Sequence, residues 1–206
     1  MSAVVGIGAC VMDTLISLPH YPAEDTKLRA AASKPAGGGP VATGLVAAAK
    51  LGVPSAYIGV LSDDNGGKFL MNDFEKYGVS TDCIDVLPGY RSFTSVIWLS
   101  ETSKTRTCVF DKGDLPPLAL SDRQLDAIGS AKLLMIDGNE LSAAADAAAY
   151  AKQQGTKGLY GAGGLYDGID RLLPLVDILI QSEEFALGYT GCGNAGKDAK
   201  RLKEQF

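Results

Sequence analysis

Apolar positions along the chain fall into short unbroken runs that alternate with longer stretches of helical period. Ala3–Gly8 is an apolar run closed by glycine, the pattern of a strand buried on both faces of a parallel sheet. Pro40–Leu51 is alanine-rich and stops at Gly52, and Asn65–Tyr77 stops at Gly78, each a helix with its C-terminal glycine. Ser55–Val60 lies between them as a second strand. Ala131–Asp137 predicts another buried strand, Leu141–Gln154 a helix ended by Gly155, and Asp177–Ile180 a further strand followed by helical segments. Strand–helix units at this interval predict an α/β fold: three layers, doubly wound, around a mostly parallel sheet.

Two stretches break that rhythm. Val11–Pro35 and Arg91–Lys112 carry no helical period. Within the second, Ser92–Leu99 and Thr105–Phe110 are β-rich runs around the polar turn Ser100–Lys104, a hairpin signal. Residues of about 12–36 and 91–112 are therefore expected to build a small second sheet, a lid beside one α/β domain spanning 1–206.

Composition narrows the function. Hydrophobic residues make up 46% and charged residues 21%, and 19 basic against 24 acidic residues leave a formal charge of −5. That balance argues against a nucleic-acid partner, which calls for a concentrated basic surface. No apolar run approaches the roughly 20 residues of a membrane-spanning helix, and the first residues read as a strand rather than a basic leader. The cysteines (Cys10, Cys83, Cys108, Cys192) are scattered and His20 is the single histidine, so no zinc or other metal cluster of usual spacing can be drawn. Reduced thiols in a cytoplasmic protein are the expectation.

Two features carry candidate chemistry. Gly37-Gly38-Gly39-Pro40 stands directly before a helix. Glycines let backbone amides approach a ligand, proline starts the helix, and the first helical amides are free to donate to hydroxyl or anionic oxygens. The alternative is a plain tight turn. Asp13 follows the first strand, where open α/β sheets place ligands, and its carboxylate could accept hydrogen bonds from two neighbouring sugar hydroxyls. The alternative is a solvated or capping aspartate.

Taken together the motifs resemble the amino-terminal signature of the ribokinase (PfkB) family. They are Asp13, the Gly37–Pro40 run before a helix ending Lys50-Leu51-Gly52, then Ile58–Gly67 and Tyr77-Gly78-Val79. Leu133–Asp137, Val176–Glu184 and Tyr189-Thr190-Gly191 follow in the family's order. The resemblance implies an ATP-dependent carbohydrate kinase that uses Mg2+ and phosphorylates a hydroxyl of ribose, fructose or a related ketose. It implies a ribokinase-like domain with a small β lid, Asp13, Gly38 and Gly39 on the sugar, and lid stretches Lys27–Ser33 and Arg91–Phe110 above it. Thr43 stands where many members have asparagine and keeps one hydroxyl for the sugar; Arg106 is a further lid residue. The exposed edge Ser92–Leu99 suits a homodimer through the lid.

The chain also departs from the family. An Asn-x-x-Glu motif that organises magnesium and phosphate reads Ser182-Glu183-Glu184-Phe185 here, which leaves Ser182 and Glu183 toward the nucleotide. The Gly-Ala-Gly-Asp motif carrying the general base is absent, so no catalytic residue is named. Gly161-Ala162-Gly163-Gly164 lacks the aspartate and comes too early; it reads as a strand end. The expectation is that the C-terminal part of the domain is missing and that these 206 residues alone are inactive. The alternative is a truncated or degenerate sugar-binding chain without turnover. Gly191–Lys197 has the glycine and lysine spacing of a P-loop, but Asp198 replaces the required Ser or Thr, and a loop before a terminal helix Lys197–Gln205 is expected. Gly6-x-Gly8 lacks the third glycine of a dinucleotide fingerprint.

Overall fold

The computed structural model describes residues 2–191. In chain order the first half contains β1 (Val4–Ile7), β2 (Val11–Leu18), β3 (Ala32–Gly38), α1 (Pro40–Lys50), β4 (Ser55–Ser62) and α2 (Asn65–Tyr77). There follow β5 (Val79–Leu87), β6 (Thr94–Ser100), β7 (Arg106–Asp111), α3 (Asp122–Ser130) and β8 (Leu133–Ile136). The last elements are α4 (Leu141–Gln154), β9 (Lys157–Ala162), β10 (Ile178–Gln181) and α5 (Glu183–Thr190).

Side-chain alternation in the strands decides the layers. Val5 and Ile7 of β1 enter a core with Ile58, Leu134, Ile136 and Ile128 of α3. Ala144, Ala147, Ala148 and Ala151 of α4 are buried in the same core; small side chains let that helix lie close on the sheet. Gly6, between Val5 and Ile7, faces the other way and is covered by Val41 and Leu45 of α1. On that side Tyr57, Leu61, Leu70 and Phe74 complete a second core under α1 and α2. Full burial of side chains such as Leu45 stabilises by about 1.5–3 kcal/mol each. The result is the expected helix–sheet–helix stack.

The main sheet has six strands in the order β10-β9-β8-β1-β4-β5, and every pairing is parallel. The chain runs outward through β4 and β5, then returns to β8 on the other flank of β1. The carboxyl ends of β1 and β8 therefore bound a crevice at the point where winding reverses, the usual ligand position of such sheets.

The two non-helical stretches form a second sheet, ordered β3-β2-β6-β7. β2 pairs antiparallel with β3 and parallel with β6, and β6 pairs antiparallel with β7. The hairpin turns between Ser100 and Arg106. Two elements escape the periodicity. β5 is half exposed, which dilutes its apolar contrast. α3 announces itself only through its capping box, Ser121 with Gln124. Cys192, the remainder of the Gly191–Lys197 run and the helix expected over Lys197–Gln205 lie outside the described residues. Among the described residues no helix is long and apolar enough to cross a membrane.

Candidate functional site

β2 leaves the carboxyl end of β1 and crosses into the small sheet, and Asp13 lies at its start. Asp13 is aligned with Ala36 of β3 on one side and Ser95 of β6 on the other. Ser95 Oγ donates to Asp13 Oδ1 at 2.6 Å, which holds the carboxylate in one orientation. Its Oδ2 lies against the Cα of Gly38, in the space that any Cβ there would occupy. At Gly39 the backbone adopts φ 96°, and a Cβ would meet the carbonyl of Ala9, so only glycine turns the chain from β3 into α1. Pro40 then begins the helix. The aspartate thus meets the glycine run at Gly38.

Asp137, at the end of β8, lies near the start of α1, where the Val41 amide favours its charged form. Asp137 accepts from the amides of Ala9 and Asn139, both at 2.9 Å, and is only 4% exposed. Burial pushes its carboxyl above the usual range against those amides and Lys112, which pull the other way. This buried carboxylate joins β1, β8 and α1 at the floor of the crevice, a role its strand-end position in the sequence does not disclose.

Beside it, Gly8, Tyr57, Lys112, Asn139 and Glu140 line a cavity of 150 Å³ at the carboxyl ends of β1 and β4. Tyr57 Oη donates to the Gly8 carbonyl at 2.7 Å. Burial raises the Glu140 carboxyl, opposed by the Leu118 amide and Lys112. A carboxylate, an amide side chain and an ammonium around a small volume suit a polyhydroxylated ligand, each hydroxyl of which both donates and accepts.

The small sheet is tied to the α/β layer where β6 approaches its start. Asp64 caps α2 by accepting from the Gly67 amide at 2.8 Å. It also accepts from Ser92 Oγ at 2.6 Å and the Ser92 amide at 2.9 Å. Burial acts to raise the Asp64 carboxyl, but the Ser92 hydroxyl and the amides of Gly67, Ser92 and Gly66 outweigh it and hold it below the ordinary range. Arg91 pairs with Asp111 at 2.8 Å and Asp114 at 3.2 Å, so both ends of the hairpin are joined.

Other sequence candidates lie elsewhere. Thr43 is exposed and lines a groove with Gly37 and Asp73, on the opposite side of β3 from Asp13. Arg106 is aligned with Leu99 on the edge strand β7, whereas Ser95 is aligned with Phe110. Four residues of strand, about 13 Å, therefore separate Arg106 from the level of Asp13. Ser182 is the cap of α5: its hydroxyl accepts from the Phe185 amide at 3.1 Å and donates to the Gly163 carbonyl at 3.2 Å. Glu183 follows in the first helical turn. Among the described residues no group of three or more His, Cys, Asp and Glu is placed to hold a metal ion.

A family model for pfkB family carbohydrate kinases matches residues 1–204. The chain belongs to that family. It is 27% identical over 187 residues to the ribokinase of Haemophilus influenzae, covering 90% of this chain and 61% of that protein. It is 29% identical over 166 residues to the 5-dehydro-2-deoxygluconokinase of Shouchella clausii, covering 75% of this chain and 48% of that protein. The structure of Arabidopsis thaliana ribokinase complexed with ribose and ATP superposes with a TM-score of 0.82 at 19% identity, over 99% of this chain and 69% of that one. This last likeness carries the fold alone. The pfkB-family chain thus spans about 61% of the length of its ribokinase relative.

Proposed function

We propose that this pfkB-family protein transfers a phosphoryl group from ATP to a hydroxyl of ribose, fructose or a related ketose. Asp13 and the Gly38–Gly39 backbone hold the sugar beneath the small sheet. The observation that carries the reading is the Asp13 carboxylate, fixed by Ser95 against Gly38 just after the carboxyl end of β1. A fixed carboxylate next to bare backbone can accept from adjacent hydroxyls while the ring lies flat on the glycines. The names of the relatives support the substrate class, and the complex of Arabidopsis ribokinase with ribose and ATP supports the ligand pair. Phosphoryl transfer needs in-line positioning and exclusion of water more than covalent help, and a sheet anchored at Ser92 and Arg91 can serve as that cover. The bond from the γ-phosphorus to ADP breaks as one to the sugar oxygen forms, and the hydroxyl proton leaves to a base that is not assigned. Mg2+ would accompany the nucleotide.

The proposal extends to a homodimer through the lid, where Val109 and Phe110 are 65% and 60% exposed, and to a cytoplasmic location, consistent with free thiols at Cys10, Cys83 and Cys108. Calorimetric titration with D-ribose and D-fructose, run beside an assay of sugar-dependent ADP release, tests the main reading. Replacing Asp13 with alanine should weaken sugar binding by about 150-fold or more, the loss of two charge-assisted bonds. Unchanged sugar affinity in that variant would refute the site. Binding without ADP release would instead favour a sugar-binding chain without turnover.

A further inference from the structure

Behind β3, on the side away from Asp13, the helices α1 and α2 enclose a groove of 490 Å³, within the size range of small-ligand sites. Its rim carries Lys34 of β3, Lys50 of α1 and Lys76 of α2, with one carboxylate, Asp73. Phe69 and Phe74 contribute an apolar floor. Among the described residues none of the three lysines makes an ion pair. Two of them are nevertheless gathered on one ring: Lys50 Nζ lies 4.3 Å and Lys76 Nζ 5.0 Å from the centroid of Tyr77. The ring restrains two long side chains that would otherwise be mobile, so an anion in the groove meets amines already placed.

We propose that this groove binds a small phosphomonoester. Three ammonium groups against one carboxylate leave an excess of two positive charges, which matches the dianion of a phosphomonoester better than a single carboxylate. Lysines act here as point charges around the phosphate, and the aromatic floor accepts the organic part. The site is separate from the sugar cleft: Gly37 faces Asp73 in the groove, whereas the next residue, Gly38, faces Asp13. The proposal stands apart from the phosphotransfer reading.

Calorimetric titration of the full chain with fructose 6-phosphate, in the absence of nucleotide and sugar, tests it, with inorganic phosphate as the probe for the charge alone. Expected are one-to-one binding that weakens with added salt, and a loss of about tenfold in each of Lys50→Gln and Lys76→Gln. Lys50→Arg should retain binding, which separates lost charge from lost folding, and Asp13→Asn should leave it unchanged. Absence of binding at about 10 mM fructose 6-phosphate, below even the weakest useful affinity, overturns the proposal. So does binding that survives both lysine substitutions. Binding abolished by Asp13→Asn also overturns it, since the ligand then occupies the sugar cleft and the functional reading above survives on its own.

Discussion

Replacing Gly38 with alanine isolates the contact on which the proposed sugar site depends. Gly38 lies in β3 and is not among the residues with positive φ, so its backbone accepts alanine. The added methyl group would occupy the place of Asp13 Oδ2. The carboxylate is the end of a short side chain and must rotate away, which breaks its 2.6 Å bond from Ser95. The displaced carboxylate can no longer accept from the sugar hydroxyl it faced; a hydrogen bond to a charged group is worth about 1.5–3 kcal/mol, so each one lost should cost roughly 10- to 150-fold in sugar affinity. The lost Ser95 bond should also lower stability by about 1.5–3 kcal/mol, offset in part by the roughly 0.4–1 kcal/mol that removing a glycine returns by restricting the unfolded chain. Titration with D-ribose and D-fructose reads the first quantity and urea unfolding the second. A Ser95→Ala variant completes a cycle: both substitutions act on one carboxylate, so their effects should not add. Wild-type affinity in Gly38→Ala would refute the argument, and so would full additivity.

Two further substitutions test the supports around the cleft. Asp64→Ala removes the cap of α2 and the anchor of Ser92, and should lower stability by about 1–2 kcal/mol in urea unfolding. Because the folded carboxyl is held below its ordinary value, that contribution is present in full above about pH 4 and fades as the pH falls further. The gap between wild type and Asp64→Ala should narrow on acidification; a gap that widens contradicts the assignment. Tyr160 is fully buried, and among the described residues its hydroxyl has no hydrogen-bond partner. Burial pushes its phenol up to about 12, so the group is neutral throughout the working range. Tyr160→Phe should therefore leave stability unchanged or raise it by about 1 kcal/mol, read as the shift in Tm. A clear loss would mean that the hydroxyl is bonded after all.

The strand and helix periods, with their terminal glycines, were legible because parallel strands and their covering helices bury unbroken or evenly spaced apolar residues. Asn65–Tyr77 and Leu141–Gln154 fall at the bounds that their stop signals mark. The break in rhythm over Val11–Pro35 and Arg91–Lys112 likewise marked the second sheet. Asp13 and the glycine run stood out because few residue types suit a strand end and a helix start at once. What joins them was not legible. Ser95 reaches Asp13 across 82 positions of sequence, Ser92 reaches Asp64 across 28, and Asp137 reaches Ala9 across 128. Such bonds depend on which strands become neighbours and in what register, and a periodicity confined to one segment does not contain that information. The same holds for Thr43 and Arg106, whose local patterns resemble those of cleft residues until helix rotation and strand register set them elsewhere. Local sequence decided the elements and the chemistry available; long-range pairing of the two sheets decided which of those groups meet.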